Sequence, residues 1–462
     1  TGGYHVLIGS GAGQSLTGAN YTTHVGYRAS RYNTAAYNTS LGYQALLGVS
    51  DSSTGQNNTA VGYESMYSVT TAAGGVGLGH QSLRALTSGG SNTGVGNSAA
   101  YSVTTGVENT ALGQTALFYN QTGNYNTAIG RAAMYGVSEN SHENNTAVGY
   151  KSLFGITTGD NNVAVGMNSA LALTTGGNNT ILGKEALKAM TVGGGMIAIG
   201  YQAGQSISTS AQNESSIIIG KQAGDGGSGR MREVVIIGAE AFRSSGATDV
   251  TGAIAIGFRA SYSATTSTDI AIGYSALYSS AGFGQNVAIG YYAGQNVNDA
   301  TYGGAVYIGY EAARYANKNT GIYRGVAVGA YAGQHSPVGT SVFVGHQSGR
   351  FARSGSANVY LGYRSGYGGN TSSPYTGNSG YNNVAIGVNS LYGVTNQHDM
   401  VAVGYEAGNA SGGTRSVYVG HQAGYNSSGI GNAFVGRQAG YSSTTARYQV
   451  AMGFDALYSN TA

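Results

Sequence analysis

The chain has 462 residues, only 8% of them charged, and a net charge of +3 from 21 Lys and Arg against 18 Asp and Glu. So small a balance over that length gives no electrostatic footprint for nucleic acid or an anionic membrane, and zero Cys removes disulfides and thiolate metal sites together. There is no apolar run of about 18 residues to insert in a membrane. No charged-then-apolar leader opens the chain and its first residue is Thr rather than Met, so we expect a processed product or a segment of something longer.

Taken in order, the elements announce themselves through glycine. An aliphatic residue followed by Gly recurs 26 times, from Ile8-Gly9 to Met452-Gly453. Of the 25 gaps twelve are 17 residues, none is shorter than 16 and one is 25. A minimal period with insertions but no deletions is the mark of stacked coils with loops added at a permitted corner. Gly (80) and Tyr (37) stand far above ordinary usage. A Gly-rich, low-charge chain could be disordered, but a solvated tract has no reason to keep an aliphatic side chain before every repeat glycine. We therefore expect an all-β fold: one parallel β-roll or β-solenoid over residues 1–462, of about 26 coils. A subdivision is expected near residue 190, where the pattern changes. At about 4.8 Å per coil the stack would be on the order of 125 Å long.

With the repeat glycine as position 0, Thr59-Ala60-Val61-Gly62-Tyr63 shows one coil. Position −1 is aliphatic, and position −3 changes from Thr in early coils to Val or Ile later, as at Ile197, Val235 and Val401. Because −3 and −1 share one face of a strand, their β-branched side chains are expected to line the interior. Position −2 would then face outward; it is usually Ala and later aromatic, at Tyr307, Phe343, Tyr360, Tyr418 and Phe434. The glycine supplies a bend with φ > 0. A second short strand is expected at +3 and +4, where Ala-Leu (Ala116-Leu117) gives way in many later coils to Ala-Gly (Ala439-Gly440). Each coil thus reads as strand, turn, strand; a triangular helix is the alternative, weakened by the single strong anchor per coil. Asn recurs at −4 (Asn38, Asn58, Asn92, Asn109, Asn126, Asn145, Asn162, Asn179) and reads as a turn ladder bonding coil to coil. Formal glycosylation acceptors at Asn57, Asn120 and Asn144 follow from that same pattern. Tyr recurs at +1, from Tyr27 to Tyr405, in numbers too large to leave as bare surface, which points to lateral packing against copies of the chain.

The string Asn-Thr-Ala-Val-Gly-Tyr-Lys-Ser at residues 145–152 resembles the head repeats of trimeric autotransporter adhesins and similar repeats in bacteriophage tail fibres. The resemblance covers residues 4–460. It implies a left-handed roll, a homotrimer, and display outside a cell or on a virion to touch a surface. The usual coil here is longer than the 14 or so residues of those heads, and no heptad stalk, neck, anchor barrel or terminal chaperone-like domain is recognisable.

Candidate sites are sparse. The acids at +2 (Glu64, Glu185, Glu240, Glu311, Glu406, Asp455) share their slot with Gln44, Lys151 and Arg259, which describes a solvated face rather than paired carboxylates. His80, His346 and His421 sit at +1, where three copies around an axis could hold a metal, but no His-x-His pair accompanies them. Gly9-Ser10-Gly11-Ala12-Gly13 would cradle phosphate only before a helix, and none is patterned. Asp225-Gly226-Gly227 lacks the repeated Asp of calcium-binding solenoids. The single Thr rank from Thr59 to Thr180 falls short of an ice-matching lattice. Recognition, if loop-borne, would sit in the insertions: residues 366–382 with Pro374 and Tyr375, 47–56, 205–214 and 314–324. No catalytic, cofactor-binding or metal residue is expected, no cofactor is implied, and the ligand is left open. Three functions follow in order: an extracellular or virion fibre or adhesin shaft without catalysis; a filament subunit polymerising end to end, since Asn460-Thr461-Ala462 resembles the start of another coil; and a glycan-cleaving spike, for which the loops carry few carboxylates. The expected partners are the chain itself and a host-surface glycan or protein.

Overall fold

The computed structural model describes residues 3–460, apart from 19, 50–52, 139, 208–213, 227–229, 244–248, 264–267, 280, 283, 300–302, 317–323, 337–339, 353–355, 369–379 and 445. The chain divides into two compact units, Thr1–Glu233 and Val234–Ala462. Each is a parallel β-solenoid built the same way, with no helix among the described residues. Every repeat glycine follows a strand of three residues, or of four at His5–Ile8 and Thr22–Val25. In the first unit these strands run from His5–Ile8 to Ile217–Ile219, and in the second from Val235–Ile237 to Val450–Met452. Consecutive coils pair in register, so that Thr110, Thr127 and Thr146 align, as do Ala111, Ala128 and Ala147. Insertions do not disturb this. Across the 25-residue gap, Tyr360 still pairs with Ala385.

The inward and outward faces are the reverse of the expectation. In Thr59–Val61 the middle residue is buried and the flanking two are half-exposed, and the pattern repeats in most coils of both units. Ala60, Ala128 and Ala271, and equally Phe343, Tyr418 and Phe434, are fully buried. The β-branched residues at −3 and −1 look outward. Their branching records a preference for extended backbone; it does not say which side of a thin sheet faces the core. The core lies between the −2 side chains and those at +3 and +4. A Cβ added to Gly77 would stand 2.6 Å from Ser65 Oγ and 2.8 Å from Met66 Cγ.

Among the described residues the expected second strand at +3 and +4 is absent, and the main sheet takes one strand from each coil; two short extra pairs, Arg230–Arg232 with Asp249–Thr251 and Ala281–Gly282 with Asn298–Asp299, lie elsewhere in their coils. Positions +2 and +4 instead adopt left-handed backbone, as at Glu64 (φ 50°) and Met66 (φ 52°). Alternating these with right-handed residues turns successive peptide groups along the stack. The Glu64 N–H donates to the Tyr43 carbonyl of the preceding coil at 2.9 Å, and the Met66 N–H to the Ser82 carbonyl of the following coil at 2.9 Å. Backbone pairing therefore continues through the bend without extended structure, meeting the requirement that buried peptide groups be bonded. The Gly9–Gly13 segment is an ordinary example, with left-handed φ of 72° and 59° at Gly11 and Gly13.

Position 0 admits only glycine, for two reasons. Gly113 has φ +134°, outside the region open to other residues, and a Cβ there would lie 2.6 Å from the Gly130 carbonyl oxygen.

Core volume is shared between −2 and +4. Where −2 is Ala or Gly, +4 of the preceding coil is often large: Met66 Cγ lies 2.8 Å from a Cβ placed on Gly77, and Leu83 Cγ 3.0 Å from one on Gly94. Where −2 is aromatic, the facing +4 position is Gly. A Cβ on Gly349 would stand 2.6 Å from Phe343 Cδ1, and one on Gly294 2.7 Å from Tyr307 Cδ2. The two drifts in the repeat thus conserve the volume of one thin core.

The Asn ladder at −4 is buried. Asn109 Oδ1 accepts from the Asn126 N–H and Nδ2, both at 3.0 Å, while Asn109 Nδ2 donates to the Gly123 carbonyl at 2.9 Å. The same set links Asn145 to Asn162 and Asn162 to Asn179. Each amide satisfies backbone groups that the turn would otherwise strand.

Candidate interaction face

The outward side of each strand carries the residues that the sequence reading placed inside. Val163 and Val165, 39% and 37% exposed, align with Thr180 and Leu182 in the next coil and those with Ile197 and Ile199. In the second unit Val287 and Ile289 align with Val306 and Ile308, then Val326 and Val328. Beside this apolar rank, past the glycine bend, stand the +1 aromatics. Tyr27, Tyr43, Tyr63 and His80 stack with ring centroids 5.1–5.3 Å apart, and Tyr274, Tyr291 and Tyr310 at 5.0–5.3 Å. Stacking covers the ring faces and leaves the edges and hydroxyls to solvent, with Tyr43 43% and Tyr310 44% exposed. Within each unit this sets an aliphatic rank at −1 beside runs of stacked rings, interrupted at +1 by polar residues such as Asn97, Gln114, Arg131 and Lys184.

Flanking it is a polar column at +2, more ordered than the solvated face anticipated. The Glu64 side chain, 12% exposed, accepts from Arg84 Nε at 2.8 Å and Gln81 Nε2 at 3.0 Å. Burial raises its carboxyl pKa, but the bonds from Arg84, Gln81 and Tyr63 prevail and hold it below the usual range. Glu185 bonds Gln202, Glu240 bonds Arg259, and Glu406 bonds Gln422 in neighbouring coils. These acids stand in ladders with cations and amides of neighbouring coils.

The three +1 histidines are likewise apart: His80 stacks on Tyr63, His346 on Tyr363 and His421 on Tyr405. Among the described residues no three His, Asp or Glu converge as metal ligands, and no helix is long and apolar enough to cross a membrane. Of the glycosylation acceptors, Asn57 and Asn144 are exposed whereas Asn120 is buried. Of the insertions proposed for recognition, 205–214, 314–324 and 366–382 fall largely outside the described residues, at 208–213, 317–323 and 369–379, the last including Pro374 and Tyr375, whereas 47–56 lacks only 50–52; Gly227 of the Asp-Gly-Gly segment also lies outside.

Two buried histidines escaped the sequence reading. His24 occupies the −2 slot, fully buried, with Nδ1 2.9 Å from Ser40 Oγ and Nε2 unpartnered. Burial, helped by the charge of His5, lowers its pKa to about 4. His142 lies against the Asn ladder, Nδ1 3.3 Å from Asn126 Oδ1, and burial lowers it to about 4 as well. The signal for His24 was its position, since apart from its partner Ser40 the −2 slots hold glycine, aliphatic or aromatic residues.

Scanned against protein-family models and compared with curated proteins, the chain returns no match. The class that fold and surface define is a parallel β-solenoid repeat protein.

Proposed function

We propose that the chain is the shaft of a non-catalytic fibre or adhesin, held against copies of itself through the aliphatic and tyrosine face, and displayed outside a cell or on a virion. The observation that carries this is the reversal of the strand faces. Each coil spends its branched hydrocarbons on the outside, where a monomer gains nothing from them and a lateral assembly buries them. The resemblance of the repeat to trimeric adhesin heads and phage fibres supports a left-handed homotrimer as the assembly. Stacked backbone ladders supply stiffness, and the absence of Cys makes the shaft indifferent to redox conditions.

The test is the mass of the full chain in solution. Sedimentation should give a multiple of 46.7 kDa, three-fold for the trimer. Replacing Val163, Val165 and Ile197 with Glu, Lys and Glu should shift the species toward one chain while circular dichroism stays unchanged. A wild-type chain that sediments as a monomer at micromolar concentration would refute the assembly.

A further inference from the structure

Whole-chain charge hides a local imbalance. From Ala312 to His398 there is no Asp or Glu, while six of the 21 Lys and Arg lie there: Arg314, Lys318, Arg324, Arg350, Arg353 and Arg364. Three of these, Arg314, Arg350 and Arg364, share the bend surface of the coils whose repeat glycines are Gly309, Gly345 and Gly362, formed by the +2 and +5 columns.

Their guanidinium groups are fixed rather than free. Arg350 Nε donates to Gln334 Oε1 at 2.7 Å and Arg364 Nε to Gln347 Oε1 at 2.8 Å. Each also lies over aromatic rings: Arg350 is 4.6 Å from the Tyr331 centroid and 5.1 Å from Phe351, and Arg364 is 5.1 Å from Tyr363. Arg314 sits 4.0 Å over Tyr292 and bonds Gln295 at 2.8 Å. Glu311 pairs with Arg314 at 2.7 Å and also accepts from Gln334, so one polar chain joins Arg314, Glu311, Gln334 and Arg350 across successive coils. The acid offsets Arg314. Among the described residues neither Arg350 nor Arg364 has a carboxylate partner. A guanidinium bonded through Nε and stacked on a ring keeps its remaining N–H groups directed at solvent, ready for a bidentate anion with little entropy left to lose.

We propose that this face binds a sulfated or uronate-bearing polysaccharide, the anionic groups of one extended strand lying on Arg350 and Arg364 while its sugar rings meet the exposed edge of Tyr363 and the half-buried Phe351. A linear polyanion suits the geometry, because the cations follow the stacking direction and their coils stand about 4.8 Å apart. The proposal deepens the attachment reading by naming a ligand class, and rests on that reading only for its biological setting.

Retention of the full chain on immobilised heparin-like polysaccharide, on neutral dextran and on duplex DNA tests it, with R350Q/R364Q as the variant. As a control of equal charge change, R131Q/K151Q alters a region that also carries Glu108, Glu143 and Asp160. The wild type and R131Q/K151Q should bind the sulfated glycan in a salt-dependent manner, and R350Q/R364Q should bind about tenfold or more weakly with unchanged circular dichroism and oligomer mass. Equal binding by both variants, equal retention on dextran, or retention on DNA as strong as on the glycan would each overturn it. Loss of glycan binding with the oligomer mass intact separates this site from the lateral face, and the mass measurement judges that face on its own.

Discussion

At the scale of single residues the fold depends on a few groups with no substitutes. Gly113→Ala would place a methyl 2.6 Å from the Gly130 carbonyl and force a φ of +134° on a residue that resists it. Strain alone costs about 1–3 kcal/mol, and the clash adds to it, so hydrogen exchange should accelerate in the coils around Gly113 before the rest of its unit. The two buried histidines make stability depend on pH. Above about 6.5, His24 and His142 are neutral in both states and nothing is lost. As pH falls from 6.5 toward 4, the unfolded chain takes up protons that the folded imidazoles refuse, so stability declines through that window, by up to about 3 kcal/mol per group. The melting temperature should drop accordingly, and His24→Ala with His142→Ala should flatten the profile, since Ala occupies the corresponding −2 and −7 slots elsewhere, as at Ala60 and Ala72. A profile equally steep in the double variant would remove the histidines as its cause.

Among elements, the strand and the bend behave as one packing unit. Phe343→Ala should cost about 3–5 kcal/mol by opening a cavity opposite Gly349, and Gly349→Leu should collide with the Phe343 ring. Together they exchange the ring for a leucine in the space the two positions share, so the double variant should lose less than the two single losses summed; additive losses in a double-mutant cycle would refute the pairing. Its trace lies in the sequence, where aromatics at −2 and glycine at +4 both become frequent in the later coils. Only the structure made them neighbours. The Asn column was read correctly, and its depth now gives it a magnitude. Asn109→Ala strands the Asn126 N–H inside the core and takes one of two donors from the Gly123 carbonyl, Asn120 Nδ2 remaining at 3.2 Å, a loss of about 1–3 kcal/mol, with the Asn126 amide the first to exchange.

On the scale of the whole molecule, surface chemistry carries the functional reading. A net charge of +3 hides an acid-free stretch from Ala312 to His398, because averaging over 462 residues mixes segments of opposite sign. The aliphatic ranks and tyrosine ladders are the larger feature, and they predict that exposure of hydrophobic surface, followed by binding of an environment-sensitive dye, rises when assembly is broken. In the assembled wild type that signal should be low. A dye signal unchanged by the Val163, Val165 and Ile197 substitutions would indicate that this face stays open to solvent.

The sequence alone determined the period, the obligatory glycine, the parallel stack and the amide ladder, because each rests on a backbone requirement that recurs in every coil and leaves a trace in residue identity. It could not decide which face of a three-residue strand is inside. Alternation fixes that −2 opposes −3 and −1, but the choice of side depends on what the chain meets after the bend, and small alanines against leucines bury as well as valines would. Nor could it reveal that the bend continues the ladder with left-handed residues at +2 and +4, since Glu64 and Met66 have no intrinsic preference for that conformation and hold it through hydrogen bonds to coils above and below. Those choices belong to the stacked structure, where neighbouring coils impose what one coil cannot specify.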